Sequence, residues 1–529
     1  MARTTTGGGS MRRTAATLVL AMVLVWAGAA SAAERSVAPS RSIRVHAAVV
    51  RLAASVRVRE LPRVGRAPVS GSTRIPLRRP SSSQASPPAG VPAGRSLDAG
   101  APSTAVSAGS PLPGALGDAD NGSLWGGANF TPPDMGFAVG GGKEIELVNL
   151  VGRVWSGSPP SPGSAFRLDR FFASSGDDLS DPWVLFDAPS GRFFAGIFDI
   201  TLGGEVLAVS KTADPGGSWY VYRVRYPSAV VTNGGCPDQG KGGVDDSLIG
   251  LGFNVFSSPG CPLRSIFKGA AVEVFNKSEA MSGSTLHLNY TDPMPSRFSL
   301  VPAHALSPQS TLYLASLDPG SGNKLHLTTA TGVPTGSAHA TFSNLPDLSV
   351  PSYSSPPKAL QRGTSTKIDS GDDRTQNVVY RSGRLVVAQS MGCVPSEDRA
   401  TRACVRLYEV DTSTNQLISA LTLGKSGTYA LYPAASITSA GDVVVTLGAS
   451  SSSMYPSLVG LAVPIGTSTV AYSIVASGTA PNTTGRYGDY FATAIDPANA
   501  DTFWAAGEIG GISGTKYAWN TAVVPVAVT

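Results

Sequence analysis

From Trp125 onward, short apolar runs alternate with clusters of Gly, Pro, Asn and Asp about every ten residues. That spacing predicts strands joined by tight turns. No long stretch carries the period of an amphipathic helix. Two half-motifs recur. One is strand, Gly-containing turn, strand: "WVLFDAPSGRFFAGIFD" from Trp183, "NVVYRSGRLVVAQS" from Asn377, "AASITSAGDVVVTLGAS" from Ala434 and "FATAIDPANADTFWAAGE" from Phe491. The other is strand, polar turn, strand: "EVLAVSKTADPGGSWYVYRV", "AVEVFNKSEAMSGSTLHLNY" and "VRLYEVDTSTNQLISALTL". Together they make a four-stranded unit, the size of a propeller blade. Such units fall at 125–174, 179–228, 244–292, 297–348, 372–424, 430–480 and 486–529. The expected fold is all-β: one β-propeller over 125–529 with seven four-stranded blades. Six blades are the alternative, because the fourth unit and 337–371 are weakly patterned. The ring is expected to close by pairing the chain near Ala138–Val148 with Ala522–Val528.

The N-terminal part is different. Arg12 and Arg13 precede the apolar run Ala15–Ala30, and Ala30-Ser31-Ala32 offers a small-residue cleavage site, so 1–32 reads as a signal peptide. Residues 33–120 are rich in Arg, Ala, Pro and Ser and read as a disordered linker or pro-segment. The net charge of +5 is concentrated there: residues 34–98 hold twelve arginines against Glu34, Glu60 and Asp98. The remainder is mildly acidic, which argues against a nucleic-acid partner. The basic segment suits weak contact with an anionic envelope surface, and the protein is expected outside the cytoplasm as a monomer.

Four cysteines fit that compartment, and the pairs close in sequence, Cys236 with Cys261 and Cys393 with Cys404, are the expected disulfides. No CxxC spacing supports a metal site. Four scattered propeller histidines, His287, His304, His326 and His339, form no ligand motif either. No Asp-x-Asp-x-Asp loop specifies Ca²⁺, so no cofactor is expected.

"TADPGGSW" has the spacing of an Asp-box turn: Thr212, Asp214, Gly216, Ser218 and Trp219. Its expected roles are structural, with Asp214 accepting amide hydrogen bonds in its own turn, Gly216 allowing positive φ, and Trp219 packing under the hairpin. With "PPDMGFAVGGGKEIELVN", "SDPWVLFDAPSGRFFA" and "RYGDYFATAIDPANADTFWAAGE", this stretch resembles motifs of little-characterised secreted bacterial β-propellers of the sialidase-like, Asp-box superfamily. The resemblance covers about 125–529. It implies the architecture more than the activity, since the superfamily holds both glycosidases and non-catalytic binders. A sialidase-like site would need an arginine triad, a Tyr–Glu pair and an acidic proton donor. Arg381, Arg384 and Arg486 are available for the first, with Tyr490 and Glu508 nearby. Arg74-Ile75-Pro76, the only Arg-Ile-Pro, lies ahead of the first blade.

Other catalytic signatures are missing: no Gly-x-Ser-x-Gly elbow and no His-Glu-x-x-His. What the pattern offers is polar residues at the leading ends of inner strands, which converge at one mouth in a propeller. The binding candidates are Asp134, Asp181, Asp246, Gln376 and Tyr432, together with Asp245. The catalytic candidates are Arg486, Asp489, Tyr490 and Glu508. Two readings follow. Either these groups form a funnel that binds a glycan or an extracellular protein, or they serve a glycoside hydrolase whose two carboxylates flank the bond. An Arg486–Asp489 ion pair that merely seals the last blade is the plainer account of that motif.

Overall fold

The computed structural model describes residues 43–61, 73–74, 93–96, 106–226, 235–257, 266–464, 470–511 and 519–528. All of these lie in one compact unit, Ile43–Thr529. The predicted signal peptide and Cys261 lie outside the described residues. Among the described residues no helix is long and apolar enough to cross a membrane.

The chain is a β-propeller. Five sheets of four or five strands stand as separate blades. Their inner strands are Gly136–Gly140, Leu179–Asp187, Phe298–Pro302, Thr428–Ile437 and Ala492–Asp496. This corrects the expectation of seven. The units predicted at 244–292 and 372–424 belong to one eleven-stranded sheet, because the two-residue strand His304–Ala305 bridges them. It pairs in parallel with Val244 on one side and with Val379 and Tyr380 on the other. The second strand of a blade reads as a nearly unbroken apolar run because both faces are covered: in Val443–Ser451 every residue is buried. The apolar cores lie between neighbouring sheets. Trp183 and Phe194 pack with Phe253 and Phe275, while Phe137 and Trp155 pack with Trp504 and Trp519, joining the chain's last strands to its first blade.

Closure differs from expectation. Trp519–Val528 pairs with Val106–Ala108, not with Ala138–Val148. Gly136–Gly140 is an innermost strand, whereas the last sheet has its open edge on the outside.

The 33–120 segment is also not simply a solvated linker. Val45–Val50 pairs antiparallel with Leu286–Thr291, and Ala54–Arg57 with Ser218–Val221, each adding an outermost strand to a sheet. Ala93–Ser96 pairs beside Gln416–Gly424. Its β-branched residues at alternate positions complete edge strands that would otherwise leave backbone groups unpaired.

The Asp box behaves as a turn, with additions. Asp214 Oδ1 accepts from Gly216 N at 3.0 Å, Thr212 Oγ1 accepts from Asp214 N at 3.2 Å, and the Trp219 indole donates to Pro215 O at 2.9 Å. Asp214 also pairs with Arg59 of the N-terminal segment at 2.6 Å and with Lys143 at 2.7 Å. Gly216 does not use positive φ; a Cβ there would meet the Arg59 side chain at 3.3 Å. Cys393 and Cys404 form the expected disulfide across the hairpin of Arg384–Pro395 and Arg402–Asp411, with Cα atoms 5.8 Å apart. Cys236 is disulfide-bonded as well.

Candidate functional site

Five inner strands carry an irregularity. Register shifts fall between Ser180 and Trp183, Asp238 and Lys241, Phe298 and Val301, Thr375 and Asn377, and Leu431 and Ala434. At four of these bulges, the one at Thr375 excepted, and just ahead of the first and last inner strands, a non-glycine residue holds positive φ: Asp134 (49°), Asp181 (57°), Gln239 (62°), Ser299 (51°), Tyr432 (49°) and Asp489 (62°). A left-handed residue in a bulge turns its side chain out of the pleat, here toward the propeller axis. Six strained positions repeated at one level of the ring make a built mouth.

Three carboxyls meet there. Asp134 and Asp181 are in side-chain hydrogen-bond contact, and Asp489 acts on both electrostatically. Asn149 links the first two, donating from Nδ2 to Asp134 Oδ2 at 2.6 Å and accepting from Asp181 N at 3.2 Å. Arg486 Nη2 donates to Asp489 Oδ2 at 2.6 Å, with Asp369 3.9 Å from its other terminal nitrogen. Arg374 is gripped by Asp372 through two bonds of 2.5 Å. Burial pushes Asp134 well above the usual carboxylate range, with Asp489 and Asp181 adding to it. Burial also raises Asp489, against the pull of Arg486 and Arg374.

Several polar atoms in this cluster are buried with no hydrogen-bond partner among the described residues: Asp134 Oδ1, Asp489 Oδ1, Tyr490 Oη, Gln376 Nε2 and Arg486 Nε. A native interior leaves few such atoms, and a concentration of them at one level marks a place for a polar occupant. Directly below lies the central channel, a cavity of about 350 Å³. Gln376 and Lys241 line its upper part, Phe137, Trp183 and Phe491 its wall, and Arg381 its lower part.

The structure brings Asp134, Asp181, Tyr432, Arg486, Asp489 and Tyr490 into one cluster, while Gln376 lines the cavity with Lys241. It does not bring Asp245 or Asp246 there. Asp245 caps the turn after Cys236–Val244, accepting from Leu248 N at 2.6 Å, and Asp246 accepts from Gln309 N at 2.9 Å. Glu508 stands behind the mouth, fully buried, and its Oε2 accepts from Gly488 N at 2.6 Å. It therefore holds the "RYGDY" loop in place. Gly488, at φ 73°, is required, because a Cβ would meet the Tyr432 ring at 2.4 Å. Arg381 and Arg384 lie at the turn between Thr375–Arg381 and Arg384–Pro395, the far end from Gln376, so no triad with Arg486 forms. Arg486 and Asp489 do pair, at 2.6 Å, and both side chains are largely buried. The reading missed Lys241 and Arg374. Their signals were "DQGK" and "DDRTQ", polar residues beside a bulge. Among the described residues no group of three or more His, Cys, Asp or Glu could hold a metal ion.

No family model matches the chain, and no curated protein matches it. Among solved structures it is similar to a protein of unknown function from Dyadobacter fermentans: 10% identity, 75% of this chain and 94% of that chain covered, TM-score 0.36. It is also similar to phage phi92 endosialidase (8%, 75% and 67%, 0.37) and to Trypanosoma rangeli sialidase (9%, 74% and 54%, 0.30). Sialidases are thus among its structural neighbours. The fold itself rests on the strand pairing above.

Proposed function

We propose that this protein is an extracytoplasmic β-propeller that binds a glycan at the channel mouth. The observation that carries the reading is the set of partnerless buried polar atoms, Asp134 Oδ1, Asp489 Oδ1, Tyr490 Oη and Gln376 Nε2, above a cavity walled by Trp183, Phe137 and Phe491. A sugar ring presents apolar faces to aromatic walls and hydroxyls to carboxylates and amides, which is the mixture found here. Calorimetry against neutral and acidic oligosaccharides tests it. Binding that Asp489→Asn weakens at least tenfold (about 1.4 kcal/mol) supports the reading; a full panel without binding overturns it.

Hydrolysis is the second reading, favoured by one feature: burial, with Asp489 and Asp181, pushes the Asp134 carboxyl well above the usual carboxylate range, the direction a general acid needs. Against it, the Asp134 and Asp181 carboxyls touch, whereas retaining glycosidases keep theirs roughly 5 Å apart and inverting ones farther. Release of reducing ends from the same panel, abolished by Asp134→Asn, would carry hydrolysis over binding.

A further inference from the structure

Two lysines of this propeller are enclosed by protein, and only one has a partner. Lys277 sits 2.8 Å from Asp187 Oδ2 and donates to Asp245 O at 2.5 Å. Lys241 makes no hydrogen bond and no ion pair among the described residues, although three carboxyls lie around it. Its ammonium nitrogen rests over the Tyr490 ring, 2.8 Å from the centroid. The side chain lines both the 350 Å³ channel cavity and a void of about 10 Å³ shared with Gln239, Arg374 and Tyr490. It is enclosed, yet part of it faces open space.

We infer that Lys241 is a nucleophilic amine that captures a carbonyl ligand, an aldehyde or ketone such as the open-chain reducing end of a sugar, as an imine. A partnered lysine has its lone pair committed; this one does not, and a cavity large enough for a small ligand lies against it. Burial brings its pKa down to about 7, and Arg374 adds to the effect while Asp181, Asp134 and Asp489 oppose it. About half of the amine is then neutral at neutral pH. The lone pair of Nζ attacks the carbonyl carbon to give a carbinolamine. The hydroxyl then leaves as water, taking one proton from the Asp134 carboxyl, and the nitrogen returns one proton to that carboxyl. The balance is amine plus carbonyl giving imine plus water, with no change of oxidation state. Tyr490 Oη, buried and without a partner, stands beside the same nitrogen as a donor to the departing oxygen.

This rests on the mouth being a ligand site, and the test separates the two. The full chain is incubated at pH 7 with limiting glycolaldehyde and cyanoborohydride, then digested and mapped by mass. A pKa near 7 gives Lys241 roughly a thousandfold more free amine than an ordinary lysine, so it is expected to be labelled at least tenfold ahead of Lys143, Lys277 and Lys358. Its labelling is expected to reach half its plateau near pH 7, with no label in Lys241→Arg. Labelling no faster than that of Lys358, or still rising above pH 9, overturns the inference. Glycan binding that survives Lys241→Arg in a protein unlabelled at Lys241 sinks the amine alone. Labelling of Lys241 in a protein that binds no glycan sinks the glycan reading alone.

Discussion

Two strands of this propeller carry buried charge at both ends, and the ends differ. Leu179–Asp187 holds Asp181 near its start and Asp187 at its finish; Cys236–Val244 holds Lys241 and leads into Asp245. At the finishing end, Asp187, Lys277 and the Asp245 backbone are joined by short bonds, and Asp187 Oδ2 also accepts from Ser190 N at 3.2 Å. At the starting end, Asp134, Asp489, Tyr490 and Gln376 each leave an atom unpaired, and Lys241 has no partner among the described residues. The strands, the burial and the kinds of residue are the same. Burial of charge therefore does not mark a site here. What differs is how the ammonium groups are met: Lys277 has a carboxylate and Lys241 has none among the described residues, although Asp245 Oδ2 at the finishing end is also buried without a hydrogen-bond partner there.

The comparison breaks first at the lysines. Lys277→Met strips a buried carboxylate of its partner and is expected to cost about 3–5 kcal/mol. Lys241→Met removes an amine with no hydrogen bond or ion pair among the described residues, and its effect should stay within about 1 kcal/mol. Urea unfolding of both variants measures the difference, and equal losses would end the distinction. The next largest effect is expected on binding: Tyr490→Phe should lower glycan affinity at least tenfold while moving stability by less than about 1 kcal/mol, since the buried hydroxyl has no partner among the described residues. Loss of both together would make Tyr490 a structural residue.

The smallest effects are in pH dependence, and they run in opposite directions. Asp134 has a raised pKa, so it contributes stability that is fully present below its ordinary 3.8 and lost as pH rises through the folded value. His304, at the finishing end, is pushed down to about 4 by burial. It contributes stability that is present above 6.5 and lost as pH falls toward 4. Thermal unfolding against pH should therefore show Asp134→Asn removing a loss of stability that sets in as pH rises above 3.8, and His304→Gln removing a loss that sets in as pH falls from 6.5 toward 4, so the two variants change the slope of the profile in opposite directions. Slopes changed in the same direction would contradict the assignment.

Much of the ring was legible. Asp181-Pro182, Tyr432-Pro433 and Asp489 each precede an apolar strand at the same phase of a repeat, and the repeat alone brings them to one level. Blade number was less so, because the joining of two units hangs on two residues, His304 and Ala305, that carry no strand signal of their own. Asp245 and Asp246 follow the inner strand instead of leading it: Cys236–Val244 ends where the unit starting at 244 was expected to begin, and "CPDQGKGGV" is too polar and too Gly-rich to look like a strand. Lys241 lies inside that stretch and is obscured with it. The edge strands Val45–Val50 and Ala54–Arg57 were hidden by the arginine-rich segment around them and by their own exposure, since neither has a buried residue.

Those outer strands also impose an order in time. His46 and Asp292 are hydrogen-bonded at 3.1 Å although 246 residues separate them. The first described stretch of the chain to be synthesised thus docks on a hairpin made much later, and closing so long a loop is slow. The segment must wait, unpaired, until two blades exist to receive it. Once docked, it rests on one flank of each blade while Val49 stays largely exposed, so it is the last piece to seat and the first to open. Amide exchange at 45–57 should accordingly be complete while the strands beneath it, Phe267–Asn276 and Gly204–Ser210, remain protected.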